Sequence, residues 1–275
     1  MNFQTKLLQA KHIFNHLLNG RKTLNSIQKI NNPTLNILAE TILQIQKNEF
    51  SQEDKEAFNH LEEFKKELAE SNEIIDYKIF NIDETMVVNK IFSIAASPEI
   101  WCKFLYLLTK KMKAKNFLEI GTNLGVSGAY ILSAQKNLPE SHFVTLEGAP
   151  KLCAIAEKQF KTIVPENRFN ILQGLYENTF PEALNLPMDF DVFFIDGNHQ
   201  LEPTLHYFNS LKSKINSPCI FIFDDIYWNA GMIEAWKKIK TDAEINFAVD
   251  FFRMGIVIID KNEQKRNVDL KYYID

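Results

Sequence analysis

Hydrophobic and polar positions fall into two textures along the chain. Up to about residue 85 the chain is rich in Asn, Gln, Lys and Glu, with Leu and Ile recurring at helical spacing. Leu7, Leu8, Ile13, Phe14, Leu17 and Leu18 share one broad stripe, which Gly20 ends. Asn32-Pro33 reads as a cap and a first helical residue, opening a helix that carries Leu35, Ile37, Leu38, Ile42 and Leu43. Ser51 with Asp54 predicts a capping pair for a third helix, reaching about Leu68 and acidic on its exposed face. Residues 1–90 are therefore expected to form a helical subdomain, a lid or a homodimer contact, with residues 91–275 as the second domain. Ile74 to Ile94, connecting the two, has no decided pattern.

The second texture begins at Ser97-Pro98-Glu99, read as an N-cap, a proline at the first helical position and an acid favoured by the helix dipole. The helix to about Lys113 turns Ile100, Trp101, Phe104, Leu107 and Leu108 inward. Short apolar runs then alternate with helical stretches. Strands are predicted at 116–120, 142–147, 168–172, 190–195 and 219–223, and helices near 126–136, 151–162, 201–214 and 230–241. Asn246–Phe252 and Ile256–Asp260, around Met254-Gly255, read as an antiparallel hairpin on the sheet edge. The alternation predicts an α/β fold with a doubly wound, mostly parallel sheet, whose ligands sit at the carboxyl ends of the strands.

Composition narrows the picture. A formal net charge of −4 and a pI near 5.9 are the wrong sign for nucleic-acid binding. Cys102, Cys153 and Cys219 are an odd number with no paired spacing, and read as reduced core thiols. No span approaches about 18 apolar residues, and the first residues carry no signal-peptide run, so a cytoplasmic enzyme with no membrane contact is expected.

The chemistry concentrates in Phe117-Leu-Glu119-Ile-Gly121-Thr-Asn123-Leu-Gly125-Val-Ser127, a strand that runs through a glycine turn into a helix. Gly121 and Gly125 let the turn bend back and leave backbone bare for a ligand. The dinucleotide fingerprint would need glycine where Asn123 and Val126 stand, and no Gly-Lys-Ser/Thr follows for a P-loop. The acidic-x-Gly-x-x-x-Gly-x-Ser turn resembles that of the class I S-adenosylmethionine (SAM) methyltransferases. Ala114 to Ser127 is similar to the catechol and caffeoyl-CoA type of cation-dependent O-methyltransferase. The resemblance implies a seven-stranded Rossmann-like sheet. It also implies SAM held by Glu119, Gly121, Asn123, Gly125 and Ser127, with Ala96 and Ser97 as backbone contacts. Glu147, at the end of the next strand, would accept the ribose hydroxyls. Gly174, Leu175 and Tyr176 would lie beside the adenine.

Two further strands stop at carboxylates: Asp191–Asp196, followed by Gly197-Asn198-His199, and Ile220–Asp224, followed by Asp225. In the resembled fold these strands are neighbours about 4.8 Å apart, so Asp196, Asp224 and Asp225 converge. Three such acids repel, and neither motif contains a Lys or Arg to neutralise them, so a bound cation is expected. All-oxygen ligands favour Mg²⁺, Mn²⁺ or Ca²⁺ over zinc. The family holds its metal at these three positions. Asp225 stands where the catechol type has Asn, and Asp224-Asp225 with Asp196-Gly-x-His199 looks more like the macrolide-sugar O-methyltransferases. His199 is the expected general base, with Asp196 also catalytic and in contact with SAM. Tyr227 and Trp228 either wall the acceptor pocket or belong to the core.

The function implied is a cation-dependent transfer of methyl from SAM to a hydroxyl of a small molecule, a sugar or phenol with vicinal hydroxyls. The alternatives are a metal-independent N- or carboxyl-methyltransferase and a non-catalytic binding module of the same fold.

Overall fold

The structure, a computed structural model, describes Thr23, Ser26, Ile27 and residues 29–272. The stripe from Leu7 to Leu18 and the stop at Gly20 lie outside the described residues. Helix α1 (Pro33–Lys47) opens as expected, with Asn32 Oδ1 accepting from the amides of Thr34 (3.0 Å) and Leu35 (3.1 Å). The chain divides into two compact units. One is Leu43–Pro187; the other is drawn from residues up to Ile42 and from Met188 onward.

In the Leu43–Pro187 unit, α2 (Gln52–Glu70) starts at a reciprocal capping box. Ser51 Oγ accepts from the Asp54 amide at 3.1 Å and Asp54 Oδ2 from the Ser51 amide at 2.9 Å. The undecided segment folds as a two-stranded antiparallel ribbon, β1 (Ile74–Asp76) with β2 (Thr85–Val87), followed by α3 (Val88–Ala95). Helix α4 (Glu99–Met112) begins after Pro98, not after Ser97. Pro98 is extended (ψ 147°), its carbonyl takes the Trp101 and Cys102 amides, and the Ser97 carbonyl takes the Cys102 thiol.

The parallel strands β3 (Asn116–Ile120), β4 (His142–Glu147) and β5 (Phe169–Gln173) alternate with α5 (Val126–Gln135), α6 (Pro150–Ile163) and α7 (Tyr176–Leu184). Phe117, Phe143, Phe160 and Phe169 form a chain of ring contacts 5.4–6.0 Å apart between centroids. Each such buried ring contributes about 1.5–3 kcal/mol. Gly128 makes room for them, because a Cβ there would lie 2.6 Å from Phe160.

The second unit contains β6 (Phe190–Ile195), α8 (Leu201–Leu211), β7 (Ile215–Phe223), α9 (Ala230–Lys240), β8 (Phe247–Asp250), β9 (Gly255–Ile259) and β10 (Val268–Lys271). β6 and β7 pair in parallel, whereas β9 is antiparallel to β7 and β8, which is the expected hairpin. In this unit the strand order is β10-β8-β9-β7-β6, and in the Leu43–Pro187 unit it is β3-β4-β5. The described residues thus hold eight such strands where seven are expected: β10 adds a parallel strand beside β8. Its four residues Val-Asp-Leu-Lys are too short and too polar to stand out as a strand in the sequence. All three cysteines are buried and form no disulfide among the described residues, as expected. Among the described residues no single helix is long and apolar enough to cross a membrane.

Candidate functional site

The turn after β3 is built around two buried carboxylates. Glu119 is fully buried; Ser127 Oγ donates to its Oε1 at 2.5 Å and Thr145 Oγ1 to its Oε2 at 2.7 Å. Thr145 spends its proton on Glu119, so Thr122 Oγ1, 2.6 Å away, is the donor in that pair. Burial pushes the Glu119 pKa up to about 7 against the pull of these two hydroxyls, and the charge of Glu147 adds to the rise.

Glu147, at the end of β4, is nearly buried and bridges two loops. Its Oε2 accepts from the Asn123 amide and its Oε1 from the Ala149 amide, both at 2.9 Å. Burial raises its pKa, and these amides oppose the rise. The Gly148 amide acts on the same carboxylate, and with about four acceptor positions on its two oxygens one remains. Asn123 has left-handed backbone (φ 47°), and its buried Oδ1 has no hydrogen-bond partner among the described residues. Gly121 (φ 109°) and Thr122 both donate their amides to the Leu146 carbonyl at 3.1 Å, which folds the turn back over β4.

Gly125 departs from the expectation of bare backbone. A Cβ there would lie 2.7 Å from Ala156 Cβ and 3.2 Å from Phe160, so the glycine serves close packing against α6 as well as its φ of 80°. Gly174 (φ 149°) donates its amide to the Glu147 carbonyl at 2.9 Å. Leu175 caps α7 and Tyr176 opens it, so these three residues follow β5 directly beside the Glu147 turn. The sequence did not single out Tyr77 and Phe80. A Cβ on Gly148 would collide with the Phe80 ring, and the charge of Glu147, added to burial, raises the Tyr77 pKa.

In the other unit, Ile195 pairs with Phe223 and the Asp224 amide donates to the Ile195 carbonyl at 3.1 Å, so β6 and β7 end level. Asp196 and Asp224 leave those ends together. His199 Nε2 lies 3.5 Å from Asp196 Oδ1. The His199 loop is fixed by Asn229, whose Nδ2 donates to the His199 carbonyl at 2.9 Å while its Oδ1 caps α9 through the Met232 amide at 3.0 Å. Asn198, His199, Asp225 and Phe252 all have positive φ, at 67°, 37°, 51° and 72°. Left-handed backbone at a residue other than glycine costs about 1–3 kcal/mol and clusters at functional sites.

The expectation that these acids lack a protein cation fails. Arg253, on the β8–β9 turn, brings its Nε within 3.4 Å of Asp224 Oδ1 and 3.9 Å of Asp225 Oδ1. Burial pushes the Asp224 pKa up, Asp225 adds to the rise, and Arg253 opposes it. Among the described residues no group of three His, Cys, Asp or Glu stands so as to hold a metal ion. With a guanidinium already against the pair, Asp196, Asp224 and Asp225 do not fit a divalent cation. Tyr227 belongs to the core: its hydroxyl donates to Asp250 Oδ2 at 2.6 Å and its ring stacks on Phe252. Trp228 is 59% exposed.

Residues 118–226 match the family described as "Methyltransferase domain". Over 140 residues the chain is 29% identical to an uncharacterised protein of Acanthamoeba polyphaga mimivirus, covering 46% of this chain and 60% of that protein. Over 108 residues it is 33% identical to a catechol O-methyltransferase of Niastella koreensis, covering 38% and 47%. The chain thus spans about half the length of these relatives. The O-methyltransferase of Bacillus cereus, solved in complex with SAH, superposes with a TM-score of 0.52 at 20% identity, covering 61% of this chain and 84% of that one. Residues 118–226 therefore match a methyltransferase domain, and the chain shares the fold of the O-methyltransferase it superposes on.

Proposed function

We propose that the chain transfers a methyl group from SAM to a hydroxyl of a small molecule. The observation that carries this reading is Glu147. It is a buried carboxylate at the end of the strand after the glycine turn, fixed by backbone amides and keeping an acceptor position. That position suits a ribose hydroxyl. The unpartnered Asn123 Oδ1 supports a polar ligand at the same turn, and Glu119 is assigned to support the ammonium group through its network with Ser127 and Thr145.

SAM supplies an electrophilic methyl group on its sulfonium. The acceptor's proton is assigned to His199. With Nε2 toward Asp196, the imidazole offers Nδ1 to the hydroxyl, and the Asp196 carboxylate stabilises the imidazolium that forms. No step is assigned to a metal, because Arg253 stands against the acid pair. The rest of the barrier is alignment of oxygen, methyl and sulfur, and exclusion of water.

The test is transfer from labelled SAM to a panel of sugar and phenol acceptors, with amines included. Methylation of a hydroxyl is expected, slowed about 10²- to 10⁴-fold in His199→Ala while SAM affinity is kept. An unchanged rate in that variant would remove His199 as the base. Methylation of amines alone would favour the second reading, in which Asp196 and Asp225, sharing one arginine with Asp224, hold an ammonium acceptor.

A further inference from the structure

We infer that Arg253 is the built-in counter-cation of the Asp224–Asp225 pair and stands in the place of a divalent ion, so that the acid site works without a metal. The inference rests on the methyl-transfer reading for what the site does, but not for which cation it holds. Three observations carry it.

The first is position. One guanidinium nitrogen faces both carboxylates, at 3.4 and 3.9 Å, and Asp224 is 2% exposed. An arginine stays charged at every working pH, so it offsets one of the pair's two negative charges permanently and repels a second cation.

The second is that the backbone holds Arg253 there. The Ile226 amide, next to Asp225, donates to the Arg253 carbonyl at 3.1 Å. The Arg253 amide donates to the Phe251 carbonyl and the Phe251 amide to the Met254 carbonyl, both at 2.9 Å. Buried Asp250 ties both sides together. Its Oδ1 accepts from the Phe252 amide at 2.9 Å, and its Oδ2 from Tyr227 Oη at 2.6 Å and Trp236 Nε1 at 3.2 Å. Phe252 takes left-handed backbone to complete the turn, a strain that persists only where its surroundings enforce it.

The third is the geometry of the pair itself. Asp224 Oδ1 and Arg253 Nε are both buried, and among the described residues neither has a hydrogen-bond partner. At 3.4 Å these two atoms face each other as charges, beside whatever hydrogen bonding the rest of the guanidinium makes to Asp224.

The experiment is Mn²⁺ binding followed by electron paramagnetic resonance on wild type, Arg253→Ala, Asp225→Asn and Arg253→Ala/Asp225→Asn, with SAM binding measured on each. Wild type is expected to show no saturable Mn²⁺ site. Arg253→Ala should gain one, at least about tenfold tighter than any wild-type binding, since removing a like charge within about 4 Å of a bound ion is worth more than 1.4 kcal/mol. The double variant should lose it again. A saturable wild-type site abolished by Asp225→Asn would overturn the inference. So would the absence of any gain in an Arg253→Ala protein whose circular dichroism shows it folded. If wild type instead fails to bind SAM, the methyl-transfer reading falls and the Mn²⁺ result still decides the cation.

Discussion

Glu119 and Glu147, at the ends of β3 and β4, are buried with both oxygens of each carboxylate accepting hydrogen bonds from hydroxyls or amides. Asp224, at the end of β7, is buried as deeply, yet its Oδ1 has an arginine nearby and no hydrogen bond among the described residues. The first pair is locked into a network by short, local partners. The second depends on one long side chain from a separate hairpin and on strained backbone at Asn198, His199 and Asp225. Charge handled by fixed dipoles gives a rigid binding surface; charge handled by a single ion pair gives a site whose character one substitution can change.

That contrast can be broken in four ways. Gly125→Ala should destabilise the most, by about 3 kcal/mol, because its Cβ meets α6 backbone and φ is +80°. Urea unfolding would read the loss, and a neutral result would mean the turn is softer than its packing indicates.

The pH dependence comes next. Glu119 titrates near 4.5 when unfolded and near 7 when folded, so the folded state holds the proton more tightly. Its contribution is most favourable below about pH 4.5, falls between pH 4.5 and 7, and is level above, amounting to about 3 kcal/mol at most. Stability against pH should flatten over that window in Glu119→Gln relative to wild type.

Asp250→Asn should cost about 1–2 kcal/mol, since the amide cannot satisfy Tyr227, Trp236 and the Phe252 amide as well as a carboxylate does. It should also loosen the acid site before it touches the cradle, which amide hydrogen exchange at Ile226 and Asn123 would separate. Trp228→Ala, on an exposed ring, should change stability by less than about 0.5 kcal/mol.

The strand ends were legible because apolar runs stopping at Glu119, Glu147, Asp196 and Asp224 are local patterns, and β3, β4 and β6 occupy the expected residues. Arg253 was not legible. It reaches Asp224 only because β9 pairs with β7 and β8, and no periodicity near the Asp pair announces a cation on another hairpin. Phe80 escaped for the same reason, as its fit against Gly148 depends on a two-stranded ribbon of three-residue strands. Ser97 misled through composition: a serine before a proline looks like a cap, but the extended Pro98 carbonyl takes that place.

The claim that matters most is that the Glu119–Glu147 turn binds SAM, and calorimetric titration of SAM into wild type and Glu147→Ala tests it most directly. Saturable one-to-one binding by wild type, weakened about a hundredfold in the variant, is predicted from the loss of a charged acceptor to the ribose. Equal affinities, or no wild-type binding at all, would contradict it.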